Sequence, residues 1–229
     1  RQNYTNDSAF KAQDSELMKK GWLNFCKVGL EGFYKGFTNK KYVVDKSRGW
    51  GIHYNFLNSF YPNPKVVCIV RDLRCIYTSM EKIFRKNSEK DTGIVNWSEM
   101  KGTTVAKRVE IWSSTPPVGL AIERLEQIIR TGINQRILFL RFEDLTLNPQ
   151  LELNKVYDFF NIERYDHDFK NIKQVTHEND SIHGIYGDHK IRKEIKQVPF
   201  QYNQILGEQL SQEICNTYPW FYQYFNYSI

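Results

Sequence analysis

The chain has 229 residues, of which 41% are hydrophobic and 25% charged, so it is long enough for one globular domain with a sizeable core. This balance excludes disordered, collagen-like and coiled-coil proteins, and no apolar run reaches the length of a membrane span. The formal net charge of +6 permits an anionic ligand, but the basic residues are spread along the sequence and do not cluster as in nucleic-acid-binding proteins.

Hydrophobic periodicity and helix-breaking residues predict the elements of the first half of the chain. Met18, Trp22 and Phe25 recur at helical spacing in a helix that Asp14 or Ser15 caps. The predicted helices cover 15–37, 51–60 and 73–86, the last with Asp72 as N-cap, and the predicted strands cover 42–44 and 65–70. The second strand is a continuous β-branched run, which is typical of a strand buried on both faces.

The second half of the chain continues this alternation. The predicted helices cover 103–112, 118–130, 149–160 and 204–218, a further strand covers 136–140, and the segments 87–102 and 165–200 are polar and irregular. The four cysteines form neither a metal-binding pair nor a disulfide framework, so we predict buried thiols at Cys26, Cys68, Cys75 and Cys215. An aromatic tail from Trp220 to Phe225 ends the chain.

Short strands alternating with helices predict an α/β fold around a mainly parallel sheet. Ligands bind such sheets beyond the carboxyl ends of the strands. Charged or polar residues follow the predicted strands at 45–47, 71–72 and 141–144, so we expect a binding site at this edge of the sheet.

The pair formed by Arg71 and Ser79 indicates an anion site. Arg71 leaves the strand 65–70, and Ser79 lies about two turns into the helix that follows. A guanidinium fork, a hydroxyl and a helix N-terminus together suit a phosphate monoester. In the alternative interpretation, Arg71 pairs with Asp72 and Ser79 bonds to its own helix.

This segment and three others resemble the sulfotransferases that use 3′-phosphoadenosine-5′-phosphosulfate (PAPS). The letters RDLR with Ser79, after NPKVVCIV, resemble the family's 3′-phosphate-binding segment, and YVVDKSRGW resembles the strand that delivers its active-site lysine. RILFLRFEDLTLNP resembles a strand and helix of the family, and IHGIYGDHKIR resembles the basic loop that closes over the nucleotide. The resemblance covers most of residues 40–195. It implies one sulfotransferase domain over 1–229, with a P-loop NTPase-like fold: a three-layer sandwich around a mainly parallel central sheet.

The resemblance also assigns roles to single residues. It implies that Arg71 and Ser79 hold the 3′-phosphate and that Lys46 is the catalytic lysine, which steadies the leaving phosphate as charge develops there. Phe142 stands where many relatives have a tyrosine near the adenine, so it would supply a ring contact. Further 3′-phosphate contacts are implied for Lys190 and Arg192. For these last two, a solvated run of charges is the alternative interpretation.

Two features depart from the family pattern. The Gly-rich loop that holds the 5′-phosphosulfate is not found before residue 40, and because the other motifs begin one strand late, we expect that strand and loop upstream of Arg1. Lys101–Thr104 resembles part of this loop but is interpreted as a helix N-cap at Thr103. Arg48 replaces the histidine of the cytosolic aryl enzymes, so the chain is closer to the tyrosylprotein and bacterial type. In that type an acidic base lies between the phosphate loop and the first long helix, so we expect the base upstream or at the edge of this sequence. Asp45 and His53 are weaker candidates within the chain.

The function implied by the resemblance is in-line transfer of a sulfuryl group from the co-substrate PAPS to a hydroxyl or amine of a small-molecule, carbohydrate or peptide acceptor, with no metal. We expect no nucleic-acid partner, no membrane span and a cytoplasmic location, or a secretory lumen if an anchor precedes residue 1. One alternative is a P-loop nucleotide or nucleoside kinase-like enzyme, which would need Mg²⁺ and a Walker lysine. The other is a non-catalytic nucleotide-binding module whose aromatic C-terminus forms a partner surface.

Overall fold

The computed structural model describes residues 8–87, 98–175 and 191–229. The chain forms two compact units, one comprising Arg1–Val66 with Gln127–Arg136 and the other comprising Val67–Glu126 with Ile137–Ile229. No helix in the described ranges combines the length and the apolar character needed to cross a bilayer.

Most of the regular secondary structure in the described residues is helical, and two strands are also present. The helices are α1 (Ser8–Lys11), α2 (Ser15–Lys35), α3 (Tyr54–Asn58), α4 (Leu73–Asn87), α5 (Val105–Ser114), α6 (Val118–Arg130), α7 (Phe142–Leu147), α8 (Pro149–Phe160), α9 (Tyr202–Ile205), α10 (Glu208–Thr217) and α11 (Pro219–Tyr224). The strands are β1 (Val66–Val70) and β2 (Ile137–Arg141), and short 3₁₀ turns cover Ser98–Met100 and Ile133–Arg136.

Helix α2 of the first unit begins where the sequence predicts. The side chain of Asp14 accepts hydrogen bonds from the backbone N–H groups of Glu16 and Leu17, both at 3.0 Å, and so satisfies two donors of the first turn. The apolar side chains of α2 do not form a core, because Leu17 and Phe25 are 68% and 66% exposed. The N-terminal boundary and its cap are therefore confirmed.

The predicted strand at 42–44 is wrong. Tyr42, Val43 and Val44 have no regular structure, and Val44 is 79% exposed. A strand is stabilised by a hydrogen-bonded neighbour and a covered face. Residues 42–44 pair with no strand among the described residues, because the sheet found in those residues consists of β1 and β2 alone.

Strands β1 and β2 form a two-stranded parallel sheet in the second unit. Both predicted strands are confirmed to within one residue, and Val70 and Leu140 are 3% exposed. The expectation that β1 is buried on both faces is wrong for Ile69, which is 56% exposed. Successive side chains of a strand point to opposite faces, so the face that carries Ile69 is open at this position, whereas Val70 on the other face is buried.

A buried ion network holds α4 against α5. Glu81 of α4 is fully buried and accepts hydrogen bonds from Arg108 of α5 at 2.7 and 2.8 Å and from Arg85 at 2.7 Å. Burial alone raises the pKa of Glu81, but these guanidinium contacts outweigh it and lower that pKa below its ordinary value. The carboxylate therefore stays charged in the interior and neutralises the buried Arg108.

The aromatic C-terminus belongs to the core of the second unit. Phe221, Tyr222, Phe225 and Tyr227 are all 7% exposed or less. Most of the predicted tail therefore serves the core, whereas Trp220 is half-buried and Tyr224 is exposed. The predicted helix 204–218 is divided into α9 and α10 by Gly207, whose φ of +90° is a conformation that L side chains rarely adopt.

The four cysteines are free thiols, as predicted, but only two of them are fully buried. Cys75 and Cys215 are buried, whereas Cys26 and Cys68 are partly exposed. Burial raises the pKa of Cys68 to about 11 and that of Cys75 to about 12. Both thiols are therefore protonated near neutral pH and poor nucleophiles.

Candidate functional site

Arg71 leaves the end of β1 and lies against Phe142, the first residue of α7 after β2. The guanidinium carbon of Arg71 is 4.6 Å from the centroid of the Phe142 ring, a cation–π distance. Arg71 Nε is buried and has no hydrogen-bond partner among the described residues. Because buried polar groups are almost always hydrogen-bonded, an unpaired donor of this kind makes Arg71 a candidate for binding an anion.

Asp72 does not neutralise Arg71, because it is committed to Arg74. The Asp72 carboxylate is 1% exposed and accepts hydrogen bonds from the Arg74 guanidinium, the shortest at 2.7 Å. It also accepts the backbone N–H of Arg74 at 2.8 Å and so caps α4, as predicted. The alternative in which Arg71 pairs with Asp72 is therefore wrong.

Ser79 lies on α4, six residues after the helix begins, which is about 9 Å along the helix axis. It is partly exposed, and no hydrogen bond from its hydroxyl to another described residue is found. The neighbouring Thr78 carries a buried Oγ1 that also lacks a partner in the described part of the chain. No local pattern in the sequence singles out Thr78, since it reads as an ordinary core-facing position of the helix.

Lys46 lies in the first unit, on an exposed stretch without regular structure. Its neighbour Asp45 accepts a hydrogen bond from the Tyr34 hydroxyl. Burial, together with this bond to Asp45, raises the pKa of Tyr34 to about 12. His53, the other candidate base, precedes α3, and its ring lies 3.6 Å from the place that a Cβ on Gly49 would take.

Of the two basic residues implied near the nucleotide, only Arg192 falls within the described residues, whereas Lys190 lies outside them. Arg192 is exposed. The backbone around it pairs with an earlier segment, because the N–H of Ile172 donates to the Lys193 carbonyl at 2.7 Å and the N–H of Ile195 donates to the Phe169 carbonyl at 3.0 Å. These bonds tie the segment that carries Arg192 to the residues that follow α8.

The segment Lys101–Thr104 caps a helix, as predicted, and the capping residue is Thr104. Its side chain accepts the backbone N–H of Lys107 at 3.2 Å at the start of α5. Thr103, the predicted cap, donates its hydroxyl to the Met100 carbonyl at 2.7 Å. Gly102 has a φ of +76°, a turn conformation that glycine adopts without strain.

The structure brings together only part of the predicted site. Arg71 and Phe142 are in contact, and Ser79 follows on the helix that β1 feeds. Lys46 belongs to the first unit and Arg71 to the second. No group of three or more His, Cys, Asp or Glu side chains that could hold a metal ion occurs among the described residues.

Comparison with known proteins gives one match. Residues 2–167 match the model of a family described as the sulfotransferase family. No curated protein and no solved structure shows significant similarity to the chain. The matched range contains Lys46, Arg71, Ser79 and Phe142, and it spans well over half of the chain.

Proposed function

Since the chain belongs to the sulfotransferase family, whose members transfer sulfuryl groups, we propose that its donor is PAPS and that its acceptor is a hydroxyl or an amine. The acceptor class that we propose is a small molecule, a carbohydrate or a peptide. We further propose that the sheet of the complete fold is the centre of a P-loop-like three-layer sandwich, to which β1 and β2 contribute.

The observation that supports PAPS most strongly is that the buried Nε of Arg71 has no hydrogen-bond partner among the described residues. A guanidinium presents a planar fork of donors that matches phosphate oxygens, and Phe142 supports its face at 4.6 Å. In the proposal, Arg71 and Ser79 hold the 3′-phosphate, Phe142 provides an apolar contact, and Arg192 and Lys190 add positive charge. The network of Asp72 and Arg74 leaves the charge of Arg71 for the ligand.

PAPS would supply an activated sulfuryl group. In the transfer, the bond between sulfur and the bridging phosphate oxygen breaks, and a bond forms between sulfur and the acceptor oxygen or nitrogen. The acceptor loses one proton to a base, and adenosine 3′,5′-bisphosphate leaves. The ammonium group of Lys46 is proposed to stabilise the charge that develops on the leaving phosphate.

Replacing Lys46 by alanine is expected to lower kcat by about a hundredfold, the lower end of the effect of removing one group that stabilises developing charge. The affinity for adenosine 3′,5′-bisphosphate should stay close to that of the unmodified protein, because Lys46 acts on the transition state. The measurement is transfer of ³⁵S from labelled PAPS to a panel of phenols, sugars, amines and peptides. Lys40→Ala, which removes another exposed lysine of the same segment, is the matched control.

An unchanged rate in Lys46→Ala would remove this lysine from the mechanism. Binding of the bisphosphate without transfer to any acceptor of the panel would instead favour the non-catalytic nucleotide-binding module. The two results concern different claims, because the first needs a functional enzyme and the second is observed with the unmodified protein.

A further inference from the structure

A single carboxylate links the two strand ends that carry Arg71 and Phe142. Glu143 follows Phe142, and its Oε1 accepts the backbone N–H of Asp72, the residue after Arg71, at 3.2 Å. Its Oε2 accepts the hydroxyl of Tyr227 at 2.7 Å. The backbone after β1 is thus tied to the first turn of α7 by one side chain, and that side chain is oriented by the C-terminal segment.

The C-terminal segment makes further contacts with the same two strand ends. Tyr222 donates its hydroxyl to Asp72 at 3.2 Å, and the Arg74 guanidinium donates to the carbonyl of Ser228 at 2.7 Å. On the side of β2, Arg141 donates to the carbonyl of Asn226 at 2.9 Å, and its guanidinium lies 4.5 Å from the centroid of the Tyr227 ring. The last residues of the chain therefore contact the ends of both strands and hold them in place.

The hydroxyl of Tyr227 acts as a permanent donor in this arrangement. Burial, followed by the bond to Glu143, raises the pKa of Tyr227 well above its ordinary value. Its ring is held separately, since it stacks on Phe221 with a centroid distance of 5.7 Å. Removal of the hydroxyl alone would leave the ring packing intact and free one oxygen of Glu143.

We propose that Glu143 and Tyr227 are positioning residues, which hold Arg71 and Phe142 at the separation needed to bind the 3′-phosphate of the nucleotide. This inference rests on the proposed function of the Arg71 site. A donor fork binds phosphate well only when its position is set in advance, because movement of β1 relative to α7 would separate Arg71 from the ring that supports it. Neither residue needs to touch the nucleotide to have this effect.

The test compares the affinities of adenosine 3′,5′-bisphosphate and adenosine 5′-monophosphate, because their ratio isolates the contribution of the 3′-phosphate. In Tyr227→Phe we expect this ratio to fall by about tenfold, the lower end of the effect of removing a residue that supports a binding shell. Glu143→Ala should lower the ratio further, and Glu143→Gln, which retains one carbonyl acceptor, should lie between it and the unmodified protein. Tyr157→Phe removes a hydroxyl that bonds His167 Nε2 at 2.5 Å and is the matched control.

The outcomes separate this inference from the function on which it rests. If the variants bind both nucleotides more weakly by the same factor, the two residues have a structural role only and the inference is wrong. The inference would also be wrong if the unmodified protein binds the bisphosphate much more tightly than the monophosphate and both Tyr227→Phe and Glu143→Ala leave this ratio of affinities unchanged. That result would not affect the proposed function. If the unmodified protein does not discriminate between the two nucleotides, the 3′-phosphate site itself is refuted and the inference fails with it. The conservative Tyr227→Phe and Glu143→Gln variants retain ring and side-chain volume, so they serve if Glu143→Ala does not fold.

Discussion

Replacing Arg71 by alanine is expected to weaken the binding of adenosine 3′,5′-bisphosphate by about 2–5 kcal/mol, because a partly buried charge contact to the phosphate is lost. Arg71 Nε has no partner among the described residues, so its hydrogen-bonding capacity is available for the ligand. The measurement is titration calorimetry of the bisphosphate with the purified variant. Arg71→Lys should restore part of the affinity, since the ammonium retains the charge but not the planar fork.

The stability of the Arg71 variant distinguishes a binding residue from a structural one. In Arg71→Ala no hydrogen bond from the buried Nε to a described residue is lost, so its free energy of unfolding should fall only by the contribution of the contact with the Phe142 ring, about 1–2 kcal/mol. Arg164→Ala, at an exposed arginine paired with Asp158, is the control for loss of a guanidinium elsewhere. An unchanged affinity for the bisphosphate in Arg71→Ala would refute the assignment of the site.

Replacing Glu81 by alanine is expected to lower the free energy of unfolding by about 3–5 kcal/mol, because it leaves the buried charge of Arg108 without its partner. The loss is measured by urea unfolding at pH 7, with Glu110→Ala as the control. Glu110 forms an ion pair with Lys107 within α5, but both side chains are more than half exposed, so this ion pair contributes little to stability. A loss in Glu81→Ala no larger than in the control would contradict the network as described.

The stabilisation by Glu81 should depend on pH in a defined direction. Its pKa in the folded protein is lowered by Arg108 and Arg85, in excess of the opposing effect of burial. The folded state therefore binds fewer protons than the unfolded state, and the stabilisation is complete above the unfolded pKa of about 4.3 and is lost as the pH falls through the folded pKa. The difference in unfolding free energy between the unmodified protein and Glu81→Gln should shrink as the pH falls below about 4.

Local patterns were sufficient to predict most elements. Helices α6 and α8 have the predicted bounds, since prolines precede the first of them and occupy the first position of the second. Strand β1 and the cap at Asp72 were predictable from the sequence, because a β-branched run is followed within two residues by an aspartate, whose side chain favours the N-cap position. These signals lie within a few residues of the feature that they specify.

Features that depend on distant contacts were not predictable. The bond between Tyr227 and Glu143 joins residues 84 positions apart, and the bond from Arg74 to Ser228 joins residues 154 apart. The prediction of a strand at 42–44 was wrong for a related reason. An apolar run forms a strand only beside a neighbouring strand, which the local sequence does not specify. The sequence likewise could not decide whether Asp72 pairs with Arg71 or with Arg74, because both arginines are its near neighbours and the arrangement also involves Ser228 and Tyr222 from the end of the chain.

The claim that Arg71 marks a site for PAPS is tested most directly by titration calorimetry of the unmodified protein with adenosine 3′,5′-bisphosphate and, separately, with ATP–Mg²⁺. The account predicts saturable binding of the bisphosphate that Arg71→Ala weakens, together with much weaker binding of ATP–Mg²⁺, which lacks the 3′-phosphate. Tight binding of ATP–Mg²⁺ without binding of the bisphosphate would contradict the account and favour a kinase-like enzyme.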